Sequence, residues 1–345
     1  IVHHEPIGVV AAFSPWNFPM SQPCRKVAGA IAAGCSIILK AAEETPAGAL
    51  HIARALHDAG LPPGVLNLVF GAPAEISDHL IRQEAVRLVA FTGSTTVGTH
   101  LTTLAAQHMT PVLMELGGHA PVIVCEDTDV EAAALSSAVR KMRNAGQVCT
   151  SPTRFFVHES IFEEYADIFV RRAAATVVGN GMDAGVEMGP LANERRPTAL
   201  AELVKDAVAH GAELRTGGRR KGNTGYFFEP TVLTHVPDSA QVMQVEPFGP
   251  LAIINPVASL DEGIEKANAV PYGLAAYGFT NRADYIDRII EGIEAGNVSI
   301  NTLEASLPET PFGGVKSSGF GREGGTEGLL NYMITKNISH SLKIV

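Results

Sequence analysis

One cysteine has the surroundings of a nucleophile. Cys149 sits in Arg143-Asn-Ala-Gly-Gln-Val-Cys-Thr-Ser-Pro152. Unbridged cysteine is usually a small core residue. Here Gly146 permits a close backbone approach, and Asn144, Gln147, Thr150 and Ser151 suit a cleft better than a core. These residues alone leave nucleophile and core residue equally open. A cysteine hydrolase would need a partner histidine, and none occupies a suggestive local position. Glu115, in Val112-Leu-Met-Glu-Leu-Gly-Gly118, is an acid inside an apolar, strand-like run. Burial without a partner raises a carboxyl pKa, which suits a general base near neutrality. The alternative is a structural carboxylate accepting backbone N–H groups. Thr92-Gly93-Ser94-Thr95-Thr96-Val97-Gly98 is a glycine turn opening a helix, whose first N–H groups can hold an anion. It is not Gly-x-Gly-x-x-Gly, and an ordinary capped helix accounts for it equally well.

Composition narrows the classes. At 345 residues about two domains are expected. Apolar residues make up 46% and charged residues 18%, which describes a packed globular chain. The net charge of -10 and the isolation of Arg219-Arg220-Lys221 argue against a nucleic-acid partner. No apolar run is long enough to cross a bilayer, and His3, His4 and Glu5 break any signal-peptide pattern. The cysteines at 24, 35, 125 and 149 show neither metal-ligand spacing nor disulfide density. A reducing, cytoplasmic location is the default, with no metal site.

Alternating strands and helices must position these residues. Ile7 to Phe13 reads as an interior parallel strand, ended by Ser14-Pro15 and a rigid Trp16-Asn17-Phe18-Pro19 loop. Ligands collect at that carboxyl edge in open α/β sheets. A helix over 22–33 follows, then a strand over 35–39 with Lys40 and Glu43 just beyond it. A helix over 129–142 leads into the Cys149 loop, and Glu246-Pro-Phe248-Gly-Pro is a stiff loop before another strand. The pattern predicts an α/β protein with two doubly wound units, 1–117 and 118–316, and a return segment over 317–345. Asn17, Lys40, Ser94 and Glu115 fall at strand ends of the first unit; Cys149 and Glu246 belong to the second. Residues 332–342 alternate polar and apolar, as in an edge strand covered by another chain. The abrupt start suggests that a segment completing the first unit precedes it.

Six motifs in order then carry a resemblance: Phe-Ser-Pro-Trp-Asn17-Phe-Pro, Phe-Thr-Gly93-Ser94, Met-Glu115-Leu-Gly-Gly, Gly-Gln-Val-Cys149, Glu246-Pro-Phe248-Gly-Pro and Pro-Phe-Gly-Gly-Val-Lys. Spread over nearly the whole chain, they resemble the NAD(P)-dependent aldehyde dehydrogenase superfamily, whose members carry a further amino-terminal segment. The resemblance implies that Cys149 is the nucleophile, that Asn17 and the Cys149 N–H hold the oxyanion, and that Glu115 activates the hydrolytic water. It implies a cofactor site made by Ser14, Trp16, Lys40, Glu43, Gly93, Ser94, Glu246 and Phe248. Glu43 would accept ribose hydroxyls and repel a 2'-phosphate, favouring NAD over NADP. Ala41 departs from the family's proline. Within the family the chain looks most like the succinate-semialdehyde dehydrogenases, which bind the substrate carboxylate with two arginines and a serine. The matching residues are Arg25, eight after Asn17; Arg143, six before Cys149; and Ser306. An arginine pair suits a small carboxylate. Glu304 would repel that carboxylate if it faced the same pocket. Glutarate or 2-oxoglutarate semialdehyde would use the same anchors, and a broad-specificity enzyme or an inactive truncated member is the alternative. Glu115 argues against phosphorylating and CoA-acylating chemistry. The resemblance also implies a homodimer or homotetramer.

Overall fold

The computed structural model describes residues 1–342. Contacts divide the chain into two compact units. The first holds Ile1–Leu116, Ser306–Gly314 and the chain from Ser318 on; the second holds Gly117–Ala305 and Val315–Ser317. Sequence had grouped 306–314 with the second unit. That stretch is a Pro- and Gly-rich turn without periodicity, so only its partners place it. Phe312 exchanges backbone hydrogen bonds of 2.7 Å with Glu323, inside the first unit.

In the first unit, β1 (Val2–Pro6) precedes β2 (Val9–Phe13), α1 (Ser21–Ala32), β3 (Ile37–Lys40), α2 (Pro46–Asp58), β4 (Leu66–Val69), α3 (Pro73–Ile81), β5 (Val86–Thr92), α4 (Thr95–Ala106) and β6 (Val112–Glu115). The sheet runs β6-β5-β2-β3-β4, all parallel. The chain steps one way from β2 to β4 and the other way through β5 and β6, so the switch point lies between β2 and β5. Alternation along β2 shows that helices cover both faces. Val10 and Ala12 enter one apolar cluster, while Ala11 and Phe13 enter another. A strand buried on both sides needs this continuous apolar run. Pro46 opens α2 at a position where its missing N–H costs nothing.

The second unit contains β7 (Ala120–Val124), α5 (Val130–Met142), β8 (Pro152–His158), α6 (Phe162–Ala174), α7 (Arg195–Ala209), β9 (Glu213–Thr216), β10 (Thr231–Thr234), α8 (Gln241–Gln244), β11 (Leu251–Val257), α9 (Leu260–Asn268), β12 (Tyr272–Gly273), β13 (Ala275–Phe279), α10 (Ala283–Gly292), β14 (Asn297–Ile300) and β15 (Val315–Lys316). Its seven-stranded sheet has the order β14-β13-β7-β8-β11-β10-β9, with β9 alone antiparallel. Asp129 caps α5, its carboxylate accepting from the Ala132 N–H at 3.0 Å. Arg154 in β8 is almost wholly buried, and donates to the carbonyls of His119, Lys266 and Ala267 at 3.0, 3.0 and 2.9 Å. Desolvation still lowers its pKa to about 9.

The return segment supplies β16 (Gly319–Phe320), which pairs with β6, then α11 (Gly325–Leu330) and β17 (Met333–Asn337). The expected terminal strand is present: β17 pairs antiparallel with β1 of the same chain in a two-stranded ribbon, Val2 opposite Asn337 and Pro6 opposite Met333. Sequence missed β1 because Val2-His-His-Glu-Pro6 is mostly exposed and carries no apolar alternation. Residues 343–345 of the expected oligomerisation segment lie outside the described residues.

Candidate active site

In the first unit, the carboxyl ends of β2, β3 and β5 bring Ser14, Lys40, Gly93 and Ser94 to one edge beside the switch point. This is where dinucleotides bind in such sheets. The loop after β2 carries Trp16 and Asn17, both part-exposed. The Thr45 hydroxyl donates to the Trp16 carbonyl at 3.4 Å, which ties the loop to the start of α2. Lys40 is buried and its ammonium meets the Glu43 carboxylate at 2.5 Å. Partial desolvation of Glu43 is outweighed by the hydrogen bond and charge of Lys40, so its carboxyl lies below the usual range. Ser94 caps α4, accepting from the Val97 N–H at 3.4 Å, and the Gly93 N–H donates to the Glu115 carbonyl at 3.0 Å. Ser14 Oγ is buried and lacks a hydrogen-bond partner. An orphaned hydroxyl at the switch point, a helix N-terminus and an ionised carboxylate form a donor and acceptor set that fits a dinucleotide.

A second cluster in the same unit surrounds Glu115, which is 3% exposed at the end of β6 and has an unpartnered Oε1. Burial, then the like charge of Glu323, pushes its carboxyl well above the usual range; Lys26, Arg25 and Arg322 oppose this less strongly. Gly313 leaves room for the carboxylate: a Cβ there would stand 2.9 Å from Oε1 and 2.5 Å from the Gly321 carbonyl. Gly313 of the Pro-Phe-Gly-Gly-Val-Lys motif thus leaves the acid its space. Lys26, also fully buried, holds Glu323 at 2.5 Å and the Thr92 hydroxyl at 2.7 Å. Sequence reasoning passed over Lys26 and Glu323. A signal existed for the lysine, since Pro23, Lys26, Val27 and Ala30 share the buried stripe of α1. Arg25 reaches Ser306 across 281 positions of chain, its guanidinium donating to the hydroxyl at 2.5 Å. It also lies over the Phe312 ring, 5.2 Å from the centroid. Two of the three expected substrate anchors therefore meet, and the charge of Arg25 reaches Glu115.

In the second unit the residues gather at the amino ends of β8 and β11, the opposite edge from that used in the first unit. Arg143 ends α5. Asn144, Ala145 and Gly146 then have φ of 51°, 52° and 69°. A non-glycine residue there costs about 1–2 kcal/mol, so neighbours must enforce the turn. Gln147 does so: its Nε2 donates to the Asn144 carbonyl at 3.1 Å and its Oε1 accepts from Ala192 N–H at 2.8 Å. Gly146 is required twice over, because a Cβ would lie 2.0 Å from the Gly249 carbonyl. That contact docks the Cys149 loop on the Glu246-Pro-Phe-Gly249-Pro loop. Beyond the thiol, Tyr277 donates to the Thr150 carbonyl at 2.7 Å, and buried Lys141 donates to the Ser151 hydroxyl at 3.1 Å.

Cys149 is part-exposed, whereas Cys35 and Cys125 are buried. The Cys35 thiol faces the Tyr332 carbonyl at 3.3 Å, and burial raises the Cys125 thiol to about 12. Cys24 is exposed on α1. Glu246 accepts from the Gly118 N–H at 3.2 Å. Desolvation raises its carboxyl to about 7, against the pull of that bond, Arg196 and Lys141. Phe248, next along, has φ of 41°. Among the described residues no cluster of side chains could hold a metal ion.

The order and placement of these groups agree with a match to the aldehyde dehydrogenase family over residues 1–338. The chain belongs to that family. A 4-(hydroxymethyl)benzenesulfonate dehydrogenase of Comamonas testosteroni is 50% identical over 331 residues, covering 96% of this chain and 69% of the relative. A succinate-semialdehyde dehydrogenase of Paenarthrobacter nicotinovorans is 42% identical over 339 residues, with 98% and 75% covered. The crystal structure of succinate-semialdehyde dehydrogenase from Burkholderia pseudomallei superposes with a TM-score of 0.95 at 44% identity, covering 97% of this chain and 70% of that one. This chain is accordingly an aldehyde dehydrogenase family enzyme with NAD(P)-dependent chemistry. No helix among the described residues is long and apolar enough to cross a membrane.

Proposed function

We propose that the protein oxidises an anionic aldehyde to the acid, with succinate semialdehyde the favoured substrate, through a covalent intermediate on Cys149. The observation that carries the substrate class is the Arg25–Ser306 contact beside Glu115. A guanidinium fixed by a hydroxyl is a prepared carboxylate site. Arg143 would supply the second cation. The names of the relatives agree in charge, one a sulfonate and one a carboxylate. A glutarate-like semialdehyde would use the same anchors.

The proposed sequence begins with the Cys149 thiolate adding to the carbonyl carbon to form a thiohemiacetal. The Asn17 amide and the Cys149 N–H would stabilise its oxygen. NAD(P), when bound, supplies the hydride acceptor that turns this adduct into a thioester. Glu115 then takes a proton from water as the water attacks the thioester. The C–S bond breaks, the acid leaves and the thiolate returns. Hydrolysis by Glu115 separates this reading from transfer to phosphate or CoA. Trp16, Lys40, Glu43, Gly93 and Ser94 would hold the adenosine and pyrophosphate side of the cofactor, with Ser14 beside them. Glu246 and Phe248 would hold the nicotinamide side. The ionised Glu43 favours NAD over NADP by repelling a 2'-phosphate. The first unit would thus bind the cofactor and the second carry the nucleophile. The exposed two-stranded β1–β17 ribbon supports a homodimer or homotetramer, since an isolated pair is marginal alone. A cytoplasmic location remains the default for unbridged cysteines.

Two results are expected. Arg143→Ala should lower kcat/KM for succinate semialdehyde by about 30-fold or more, but much less for butanal. Equal losses on the two aldehydes would count against an anion anchor. Glu246 accepts ribose hydroxyls fully only when ionised, and its carboxyl titrates near 7. The ionised fraction falls about tenfold from pH 8 to pH 6, so the KM for cofactor should rise by about that factor. A Glu246→Gln variant should lose this pH dependence; retaining it would remove Glu246 from the cofactor site.

A further inference from the structure

The second unit contains a cavity of about 770 Å³ beside the last turns of α5, within the range of small-molecule sites. Leu135, Val139, Met142 and Phe279 give it apolar walls, and Leu135 and Val139 are 38% and 52% exposed. Three arginines and two glutamates also line it: Arg140, Arg143, Arg172, Glu187 and Glu304. The walls therefore carry one net positive charge. Glu304 does not point a lone charge into this space, as its sequence position had threatened. Arg140 grips it with both guanidinium arms, at 3.0 and 3.2 Å. Arg172 and Glu187 form a second pair. The charges of Arg140, Glu304 and Cys149 all reach the Tyr277 hydroxyl, which holds the Thr150 carbonyl. Cavity, ion pair and thiol loop thus share one neighbourhood.

We infer that Glu304 is a specificity-determining residue: by occupying Arg140 it limits this cavity to one anionic group carried on an apolar body. Arg140 is 16% exposed at its side chain and Glu304 65%, so the pair is accessible to a competing anion. Neutralising Glu304 leaves the Arg140 cation to the ligand and raises the net charge of the walls to two. Removing Arg140 as well should cancel that gain. The effect is electrostatic and near the surface, so it must weaken with salt. The inference rests on the proposal that this enzyme takes anionic aldehydes, and names what sets their charge and shape.

The test compares the full chain with Glu304→Gln, Arg140→Met and the double variant. Oxidation of 4-formylbenzoate is measured against benzaldehyde, and calorimetric binding of benzoate against benzyl alcohol. Glu304→Gln should raise the anionic-to-neutral ratio about fivefold in both assays at low salt. The gain should shrink by 0.5 M salt and disappear in the Arg140→Met background. An unchanged ratio, a gain insensitive to salt or to Arg140, or no benzoate binding by the parent protein would overturn it. Should benzoate binding respond as expected while no aldehyde is oxidised, the proposed reaction fails and the cavity assignment stands. Should aldehydes be oxidised with a ratio indifferent to Glu304, the reverse holds.

Discussion

Cys149→Ala should abolish aldehyde oxidation, lowering kcat by at least ~10⁴-fold, the scale seen when a covalent nucleophile is removed from other enzymes. The loop makes the expectation specific. Two consecutive non-glycine residues with left-handed φ precede the thiol, and the Gly146–Gly249 contact locks their turn. Such strain persists where surrounding structure enforces it, and it concentrates at functional sites. Folding should survive the change, because Cys149 is part-exposed and its loop is held by Gln147, Tyr277 and Lys141. Cys35→Ala is the contrasting control. That thiol packs inside the first unit against the Tyr332 carbonyl, so stability should fall by about 1 kcal/mol while turnover persists. Stopped turnover in the Cys35 variant and full turnover in the Cys149 variant would exchange their roles.

Glu115→Gln should divide the reaction. The first equivalent of reduced cofactor should still appear as a burst, since thiol addition does not use this carboxylate. Steady turnover should fall ~10²- to 10³-fold, the usual contribution of a general base. In the parent enzyme the hydrolytic step should accelerate as pH rises through the raised pKa of Glu115, because only the ionised form accepts the proton. Stability should move the other way. The folded state retains a proton that an unfolded glutamate loses near pH ~4.3. Stability therefore falls as pH rises from there to the folded pKa, then levels off. Glutamine cannot ionise, so the melting temperature of Glu115→Gln should decline less over that window. Equal pH slopes for parent and variant would mean that Glu115 carries no buried proton.

Local pattern made much of this legible. The continuous apolar run of β2 identified a doubly covered strand, and the acid inside the run of β6 identified a buried carboxyl. The glycine after Ala145 was read as permitting close approach, and Gly249 is the group that approaches. Other features depend on distant partners. Lys26 lies 297 positions from Glu323, too far for local spacing to pair them. Glu304 was read as a threat to an anion because its partner Arg140 lies on another element. The pairing of β1 with β17 joins the two ends of the chain; the alternation of β17 was readable, but β1 carries no apolar period to read. The edge of the second sheet that carries Cys149 also depends on topology, which a motif alone does not encode.

The most direct measurement is mass spectrometry of the Glu115→Gln protein quenched after mixing with NAD and succinate semialdehyde. A succinyl adduct of one equivalent on the peptide bearing Cys149, removed by thiol reagents, is the predicted result. An adduct on another cysteine, or continued acid production with Cys149 unmodified and alkylatable throughout, would contradict the account.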